Sequence, residues 1–313
     1  MDEHVLEAHV DLRLGNARHA PLAGSPRGRA AVRAVLERIH RDGRVCVADD
    51  GARVRAVLAW RDDPEPWCGA PVCTVAIDHD SAFDARGWIA DTLDAELPRM
   101  EAELDLHLNP VYRDVYRALV ARGVGVGSVV LLGEPATALA ALGDVGGLAE
   151  RGLEVMALEA RHLDEALELT RAAFAAEPEH AWFGANEGFL AFLRSRLAGE
   201  IERPDHVQRV LLQNGRLLGH ASASVDDDPL FGPTAGLGIV LAPELRGRGL
   251  SRPIYRALLE EAIAHGARLT KGMTSHPAVL RLGAVMGRRR IGLAMRRGAT
   301  FGESHFAPYL PLA

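Results

Sequence analysis

Cysteine is scarce in this sequence: the 313 residues include only three, Cys46, Cys68 and Cys73. A small, odd number of cysteines excludes the disulfide framework of a small secreted domain. Cys68 and Cys73 could form half of a metal site, but no second cysteine or histidine pair with ligand spacing follows nearby. We therefore expect plain thiols, and we predict no metal site.

The sequence also lacks a long apolar run and an excess of positive charge. No segment approaches the roughly 18 apolar residues that a membrane-spanning helix needs, and the N-terminus is acidic, without the apolar region of a signal peptide. With 36 basic and 42 acidic residues the formal net charge is −6, which provides no general attraction for nucleic acid. The basic run 288–290 has no interleaved aromatic residues for base stacking. We expect a cytoplasmic protein that binds neither membranes nor nucleic acids.

The composition is that of a globular protein with two domains. Apolar residues make up 48% of the chain, and its 313 residues correspond to two domains of about 150 residues each. The segment 134–152 is rich in alanine and glycine and lies near the midpoint, as expected for a connection between domains. We predict a first domain at residues 1–135, a linker at 136–152 and a second domain at 153–313.

The two halves repeat one order of elements, with helices first, then strands, a helix, a strand, another helix and a closing strand. Apolar residues recur at helical spacing in residues 251–265, and Asn214-Gly215 predicts a tight hairpin turn. The last helix is predicted to begin at Pro277 and to run to residue 297, before Gly298. The closing strand is predicted at 301–310. The repeated order indicates a duplicated α/β fold of the α+β type.

The most informative segment connects a predicted strand, residues 235–241, to the helix that begins at Ser251. It reads Arg246-Gly247-Arg248-Gly249-Leu250-Ser251. Glycines allow successive backbone N–H groups to turn inward and bind phosphate oxygens, and the N-terminus of the following helix adds partial positive charge. The two arginines can add charge-assisted hydrogen bonds. A tight turn with solvated arginines is the alternative, but the strand, the proline and the long helix around the loop favour phosphate binding.

This segment resembles motif A of the GNAT (GCN5-related N-acetyltransferase) superfamily, (Q/R)-x-x-G-x-(G/A), except that Ser251 stands where glycine or alanine is usual. The resemblance covers the second half of the chain and implies a mixed, mostly antiparallel sheet flanked by helices. It implies that acetyl-CoA, or another acyl-CoA, binds with its pyrophosphate in the loop, on Arg246, Gly247, Arg248, Gly249, Leu250 and Ser251. It also implies that the pantetheine arm pairs with the backbone of Ile239, Val240 and Leu241.

The first half resembles the same fold without the phosphate-binding loop. Residues 109–123 are similar to the end of strand five and to helix four of the superfamily, so the whole chain resembles a tandem two-domain GNAT protein. Where the loop should stand, the sequence has three aspartates, Asp78, Asp80 and Asp84, which would repel a pyrophosphate. We expect two GNAT-like domains. Only the second binds acyl-CoA, while the first serves as a scaffold or lines the substrate cleft.

The reaction that the resemblance implies is direct attack of an amine on the acyl-CoA thioester, with a base for the amine and an acid for the thiolate. Members of the superfamily commonly have a tyrosine acid four residues before the glycine that ends the fourth helix. Counting back from Gly298 gives Ala294, so that tyrosine is missing. Ser275 and His276, after the predicted fifth strand, are the candidate catalytic residues, because histidine titrates near neutral pH. Alternatively, His276 only starts a helix.

Two regions are candidates for the acceptor site. Glu177, Trp182 and Phe183 lie between the first two helices of the second half, where the superfamily has acceptor pockets, although an aromatic pair there could equally belong to the core. Asp226, the first of three aspartates after the third strand, could attract a cationic amine or could simply be solvated. The predicted partner is a small amine, and the predicted activity is N-acetyl transfer. The alternatives are a CoA- or acyl-binding module without transferase activity, and an O-acyltransferase or other acyl-CoA-processing GNAT.

Overall fold

The computed structural model describes residues 1–17, 20–63, 69, 71–109, 112–176, 181–297 and 299. The first half of the chain contains α1 (Glu3–Asn16), α2 (Pro26–Asp42), β1 (Arg44–Asp49), β2 (Val54–Asp62), β3 (Val72–His79), α3 (Arg86–Glu96), β4 (Glu103–Leu108), α4 (Arg113–Val120), β5 (Val124–Gly133) and α5 (Pro135–Leu142). The second half contains β6 (Glu154–Ala157), α6 (Leu163–Ala175), α7 (Ala181–Ala185), α8 (Glu187–Ile201), β7 (His206–Gln213), β8 (Arg216–Asp228), β9 (Gly232–Leu241), α9 (Ser251–Ala264), β10 (Leu269–Thr274), α10 (Pro277–Val285) and β11 (Arg289–Arg297). The closing strand predicted at 301–310 lies outside the described residues.

Local sequence signals account for the start of several elements. Ser25 caps α2 through its side chain and is followed by Pro26 in the first turn, where the missing N–H of proline is harmless. Asn186 caps α8 in the same way. The hairpin between β7 and β8 turns at Asn214 and Gly215, whose φ angles of 53° and 76° are both positive, as a tight hairpin requires. The predicted turn is confirmed.

The strands form one sheet of eleven in the part of the chain that the structure describes, in the order β1-β2-β3-β4-β11-β5-β10-β9-β8-β7-β6. Two neighbouring pairs, β3–β4 and β9–β10, are parallel. The other pairs are antiparallel. The two parallel pairs flank the antiparallel pair β11–β5, one on each side. The predicted fold class, a mixed and mostly antiparallel sheet flanked by helices, is confirmed.

The two halves exchange strands at the centre of the sheet. β5, from the first half, pairs with β10 on one edge and with β11 on the other, and β11 also pairs with β4. The largest apolar core therefore includes Leu280, Leu293 and Met295 of the second half among first-half residues. Within the segment predicted as a linker, α5 packs against α9 and α10. The halves are interlocked in the sheet rather than merely adjacent.

The structure corrects the last predicted helix. α10 ends at Val285 rather than at residue 297, and the chain turns at Gly287, whose φ is 67°. Arg289–Arg297 is the strand β11, which pairs along both edges. The prediction was wrong because pairing with two strands of the other half, which local sequence does not reveal, determines the conformation of this segment.

Candidate functional site

Two neighbouring strands of the second half separate and leave a cleft in the sheet. β9 and β10 pair at three consecutive positions, the last of which joins Gly236 to Lys271. β9 nevertheless continues to Leu241, and β10 to Thr274. From Leu237 onward, the edge of β9 that faces β10 has no strand partner among the described residues, while its other edge pairs with β8. This free edge includes the three residues predicted to pair with a pantetheine arm, Ile239, Val240 and Leu241.

The loop that follows β9 lies at the open end of this cleft. Arg246, Gly247, Arg248 and Gly249 are all exposed. Both glycines have positive φ angles, 74° and 70°, a conformation that is strained for residues with a side chain. A Cβ added at Gly247 would meet no atom within 4 Å, so the backbone conformation, and not a lack of space, requires glycine there. Loops of this conformation turn N–H groups toward a bound anion.

Helix α9 begins directly behind this loop. Its N-cap residue is Leu250, which makes no side-chain capping hydrogen bond. The N–H groups of the first turn, beginning at Ser251, therefore have no capping side chain as a partner. Their partial positive charge lies beside the loop. The buried side chains of Ile254 and Leu258 fix the helix against the sheet. The sequence thus places an uncapped helix N-terminus at the end of the free strand edge.

Arginine side chains surround the loop. Arg246 Nε donates a hydrogen bond to the Leu241 carbonyl at 3.2 Å. A guanidinium nitrogen of Arg151 lies 3.9 Å from where a Cβ on Gly249 would stand. Neither these two arginines nor Arg248 is ion-paired with a carboxylate in the part of the chain that the structure describes. The loop is therefore rich in positive charge in a protein whose net charge is −6, with Glu244 the nearby carboxylate that interacts electrostatically with Arg248.

The candidate catalytic residues follow β10 on the opposite side of the cleft. Ser275 is buried, with 2% of its surface exposed. His276 is exposed and is the N-cap of α10: its Nδ1 accepts a hydrogen bond from the Ala278 N–H at 3.2 Å. Because Nδ1 is the acceptor, a neutral His276 ring carries its proton on Nε2. In this arrangement Nε2 is a hydrogen-bond donor.

The position assigned to the absent tyrosine is corrected by the helix boundary. Ala294 lies within β11, opposite Ser128 of β5, and is not on the fourth helix of the second half. Four residues before Gly287, which follows the end of α10, stands Gly283. α10 itself contains no tyrosine. The position four residues before the glycine that follows the helix is therefore Gly283 and not Ala294, and neither residue is a tyrosine.

The acceptor candidates lie at different ends of the sheet. Phe183 packs against Phe189, with ring centroids 4.9 Å apart, and the Arg296 guanidinium lies 5.6 Å from its ring centroid. Arg296 pairs with β5 beyond the position at which β10 ends, so Phe183 is at the end where the cleft opens. Glu177 and the side chain of Trp182 lie outside the described residues.

Asp226 lies at the other end of the strands. It opposes Thr234, seven residues before Leu241, a separation of about 23 Å along a strand. Its carboxylate lies 3.8 Å from Arg203 and 3.8 Å from His206. The structure does not bring Asp226 together with the loop or with His276.

Arg288 is a residue near the cleft whose importance the sequence did not reveal. In the sequence it is one member of the basic run 288–290, but in the structure it is 5% exposed, and burial lowers its pKa. Its Nε and Nη2 have no hydrogen-bond partner within the described residues. Its guanidinium lies 5.8 Å from the ring centroid of Tyr255 on α9. The one sequence signal is Gly272, a glycine within a strand, which leaves room for a large neighbouring side chain.

The first half has a corresponding cleft, but α1 closes it. β3 and β4 pair in parallel only from Val72 to Val75, although β3 continues to His79. Asn16, at the end of α1, donates a hydrogen bond to the His79 carbonyl at 3.2 Å. Side chains of α1 therefore occupy the edge of β3, whereas the equivalent edge of β9 is free.

Asp78 is the centre of a buried network in this closed cleft. Its carboxylate accepts hydrogen bonds from His9 Nε2 at 3.0 Å, Arg13 Nε at 2.8 Å and the Tyr112 hydroxyl at 3.0 Å. Burial raises the pKa of Asp78, but Arg13 and His9 outweigh that effect and hold the pKa below its ordinary value. His40 Nε2 lies 2.8 Å from His9 Nδ1, and burial lowers the pKa of His40 to about 4. Neutral His40 therefore donates to His9, which donates to Asp78.

The other two aspartates of the first half stand in the loop after β3. Asp80 accepts a hydrogen bond from the Ala82 N–H at 2.9 Å, and Asp84 accepts one from the Arg86 N–H at 3.4 Å. These carboxylates use N–H groups that a bound phosphate would otherwise need. In this half, the acidic side chains of the loop satisfy its own backbone N–H groups.

Metal and membrane features are absent from the described part of the chain. There, no group of three or more His, Cys, Asp or Glu residues is arranged to hold a metal ion. None of the described helices is long and apolar enough to cross a membrane. Cys46 and Cys73 are free thiols, as predicted, and burial raises the pKa of Cys73 to about 12. Cys68 lies outside the described residues.

Several known proteins with similar sequence or structure are GNAT acetyltransferases. Residues 160–282 match the model of the Acetyltransferase (GNAT) family, a range that includes the loop and α9. A GCN5-related N-acetyltransferase from Sphaerobacter thermophilus is similar in structure, with a TM-score of 0.56 and 13% identity over 93% of this chain and 91% of that one. A tandem GNAT protein from the clavulanic acid biosynthesis pathway has a TM-score of 0.51 and 15% identity, over 96% of this chain and 97% of that one. No curated protein sequence matches the chain.

Proposed function

Because residues 160–282 belong to the acetyltransferase (GNAT) family, we propose that the second half of the chain binds acyl-CoA and transfers its acyl group to the amine of a small molecule, with acetyl-CoA as the simplest donor. One observation carries the proposal. The free edge of β9 leads directly into a glycine loop and an uncapped helix N-terminus. This combination provides hydrogen bonds for an extended chain and for phosphates at adjacent positions.

The residues around the loop fit an anionic ligand. Gly247 and Gly249 hold the loop backbone in its positive-φ conformation, and the surface beside Gly247 is open. Arg246 and Arg248 are available for charge-assisted hydrogen bonds to phosphate oxygens. Leu250 and Ser251 contribute backbone N–H groups at the start of α9, where the helix dipole favours negative charge. Acyl-CoA, when bound, supplies an acyl group activated as a thioester.

The residues after β10 stabilise the leaving group in this proposal. The neutral His276 ring carries its proton on Nε2, since Nδ1 accepts from the Ala278 N–H, and Nε2 can donate a hydrogen bond to the departing thiolate. The thiolate takes up the proton that the attacking amine releases. The Ser275 hydroxyl is the neighbouring polar group. Phe183, at the end where the cleft opens, contributes to the acceptor site together with Glu177 and Trp182, which remain predictions from the sequence. Asp226 is left out of the acceptor site because it lies at the far end of the strands.

A second candidate function is acyl-CoA binding without transfer. The observation that favours it is the composition of α10, which contains no tyrosine to serve as the acid. The thiolate of CoA is a good leaving group, so an acid accelerates the transfer but is not required for it. The two functions differ only in turnover, and both need the same loop.

Release of free thiol from acetyl-CoA across a panel of small amines tests the proposal. We expect amine-dependent release by the wild-type protein and none by Gly249→Asp, which places a carboxylate where the phosphates bind. Asp84→Asn, in the corresponding loop of the first half, is the matched control and should leave release unchanged. Binding of acetyl-CoA without release for any amine would favour the second function. Equal loss in Asp84→Asn would contradict the assignment of the site to the second half.

A further inference from the structure

An unpaired positive charge lies at the closed end of the acyl-CoA cleft. Nη1 of Arg288 lies 3.8 Å from the position of a Cβ on Gly272, and that position is 4.0 Å from the Leu237 carbonyl. Gly272 and Leu237 stand one residue beyond the last paired position of β10 and β9. The guanidinium is therefore at the level where the two strands part. The phosphate loop follows the opposite, open end of the cleft, where β9 ends at Leu241. Leu241 is four residues, or about 13 Å, from Leu237 along the strand.

The surroundings of Arg288 supply no counter-charge. The side chain is 5% exposed, and no carboxylate within the described residues forms an ion pair with it. Its Nε and Nη2 lack any hydrogen-bond partner there, and its neighbour is the face of Tyr255. A buried guanidinium without an anion is costly to keep. A ligand that brings an anion to the guanidinium would remove this cost.

The face of the sheet on which the Arg288 guanidinium lies determines which part of a bound ligand can reach it. Leu131 contacts Gly283 of α10 and stands directly opposite Gly272, so the guanidinium beside Gly272 lies on the side of the sheet that α9 and α10 cover. α6 and α8 pack on the other side, where they contact Val210 and Leu212, while α9 contacts the intervening Leu211. The acceptor region at α7 is thus separated from Arg288 by the sheet.

We infer that Arg288 is a specificity-determining residue that binds a carboxylate at the end of the acyl chain, so that the preferred donor is an acyl-CoA of the dicarboxylic type, such as succinyl-CoA. This inference rests on the proposed function. When the phosphates lie on the loop at the open end, the acyl group, at the other end of acyl-CoA, faces the closed end. A guanidinium presents paired N–H groups that match the two oxygens of a carboxylate, and an acetyl group offers nothing of the kind.

The test measures binding of acyl-CoA to the full chain by titration calorimetry, which needs no acceptor. Succinyl-CoA is compared with butyryl-CoA, a neutral chain of the same number of carbons, and with acetyl-CoA. We expect the wild-type protein to bind succinyl-CoA at least about tenfold more tightly than butyryl-CoA, the equivalent of about 1.4 kcal/mol. Arg288→Met should abolish this preference and leave acetyl-CoA binding unchanged. Arg288→Lys, which keeps the charge without the fork, should retain part of it.

Stability of the ligand-free protein gives an independent readout. Arg288→Met should raise the melting temperature, because it removes an uncompensated buried charge while keeping most of the side-chain volume. A lower melting temperature together with an unchanged ratio of succinyl-CoA to butyryl-CoA affinity would assign Arg288 a structural role and overturn the inference. If no acyl-CoA binds at all, the proposed function fails, whereas acetyl-CoA binding without a succinyl preference refutes this inference alone.

Discussion

Replacing Met295 with alanine tests whether the two halves form one folding unit. Met295 belongs to the second half but is fully buried in the core of the first half, where its strand pairs with both β4 and β5. Truncating a buried methionine costs about 2–5 kcal/mol, and we take about 3. Since unfolding entropy is about 2.1 cal/mol/K per residue, 313 residues unfolding together would lose about 5 °C in Tm.

Differential scanning calorimetry distinguishes the possible outcomes. We expect one transition that shifts as a whole by this amount. If the second half unfolded on its own, with roughly 160 residues, the same free energy would lower one of two transitions by about 9 °C and leave the other in place. That result would refute the interlocked sheet as a single cooperative unit. Met273→Ala is the matched control, because Met273 is 49% exposed and should change the stability by no more than about 0.5 kcal/mol.

Three further predictions concern single side chains. Burial lowers the pKa of His220 to about 4, below the value of 6.5 in the unfolded chain, so protonation favours unfolding. The stabilisation of the folded state by neutral His220, at most about 3 kcal/mol, should be complete above pH 6.5 and lost as the pH falls toward 4. Urea unfolding should therefore show that the free energy of unfolding of His220→Gln depends less steeply on pH in this range. Tyr112→Phe removes the hydroxyl that binds buried Asp78 and should cost about 1–3 kcal/mol in urea unfolding without altering acetyl-CoA binding; a cost below about 0.5 kcal/mol would mean that the bond is unimportant. His276→Asn preserves the helix cap but not the ring Nε2–H that donates a hydrogen bond to the thiolate, so both it and His276→Ala should slow thiol release by about 100-fold, whereas normal release by the asparagine variant would leave His276 only its capping role.

Local chemistry made the conformation of the glycine loop after β9 predictable. Gly247 and Gly249 are glycines because their φ angles are positive, and a strand before them and a helix after them are visible in the hydrophobic pattern. The hairpin at Asn214 and Gly215 was predictable for the same reason, since both residue types tolerate positive φ. Features whose cause lies within a few residues along the chain can be inferred from the sequence.

Long-range pairing made the rest unpredictable. The residues of β11 were assigned to a helix because their strand conformation depends on β4 and β5, both from the other half of the chain. The burial of Arg288, which directly precedes β11, could not be inferred for the same reason. Likewise, nothing local indicates that Asn16 of α1 occupies the edge of β3. These features depend on contacts between residues more than 60 positions apart in sequence.

The most direct test of the acyl-CoA site compares two aspartate substitutions at the ends of α9. Gly247 and Gly266 both have positive φ, 74° and 83°, and at neither would a Cβ meet an atom within 4 Å. The two substitutions therefore impose a similar backbone strain and add the same charge, but only Gly247→Asp lies in the loop that we propose to bind phosphate. The measurement is the rise in melting temperature that acetyl-CoA produces at about 100 times its dissociation constant, which corresponds to about 2.7 kcal/mol, or about 4 °C for a single unit of this size. The account predicts that the wild-type protein and Gly266→Asp show this rise and that Gly247→Asp does not; an equal rise in all three proteins would contradict it.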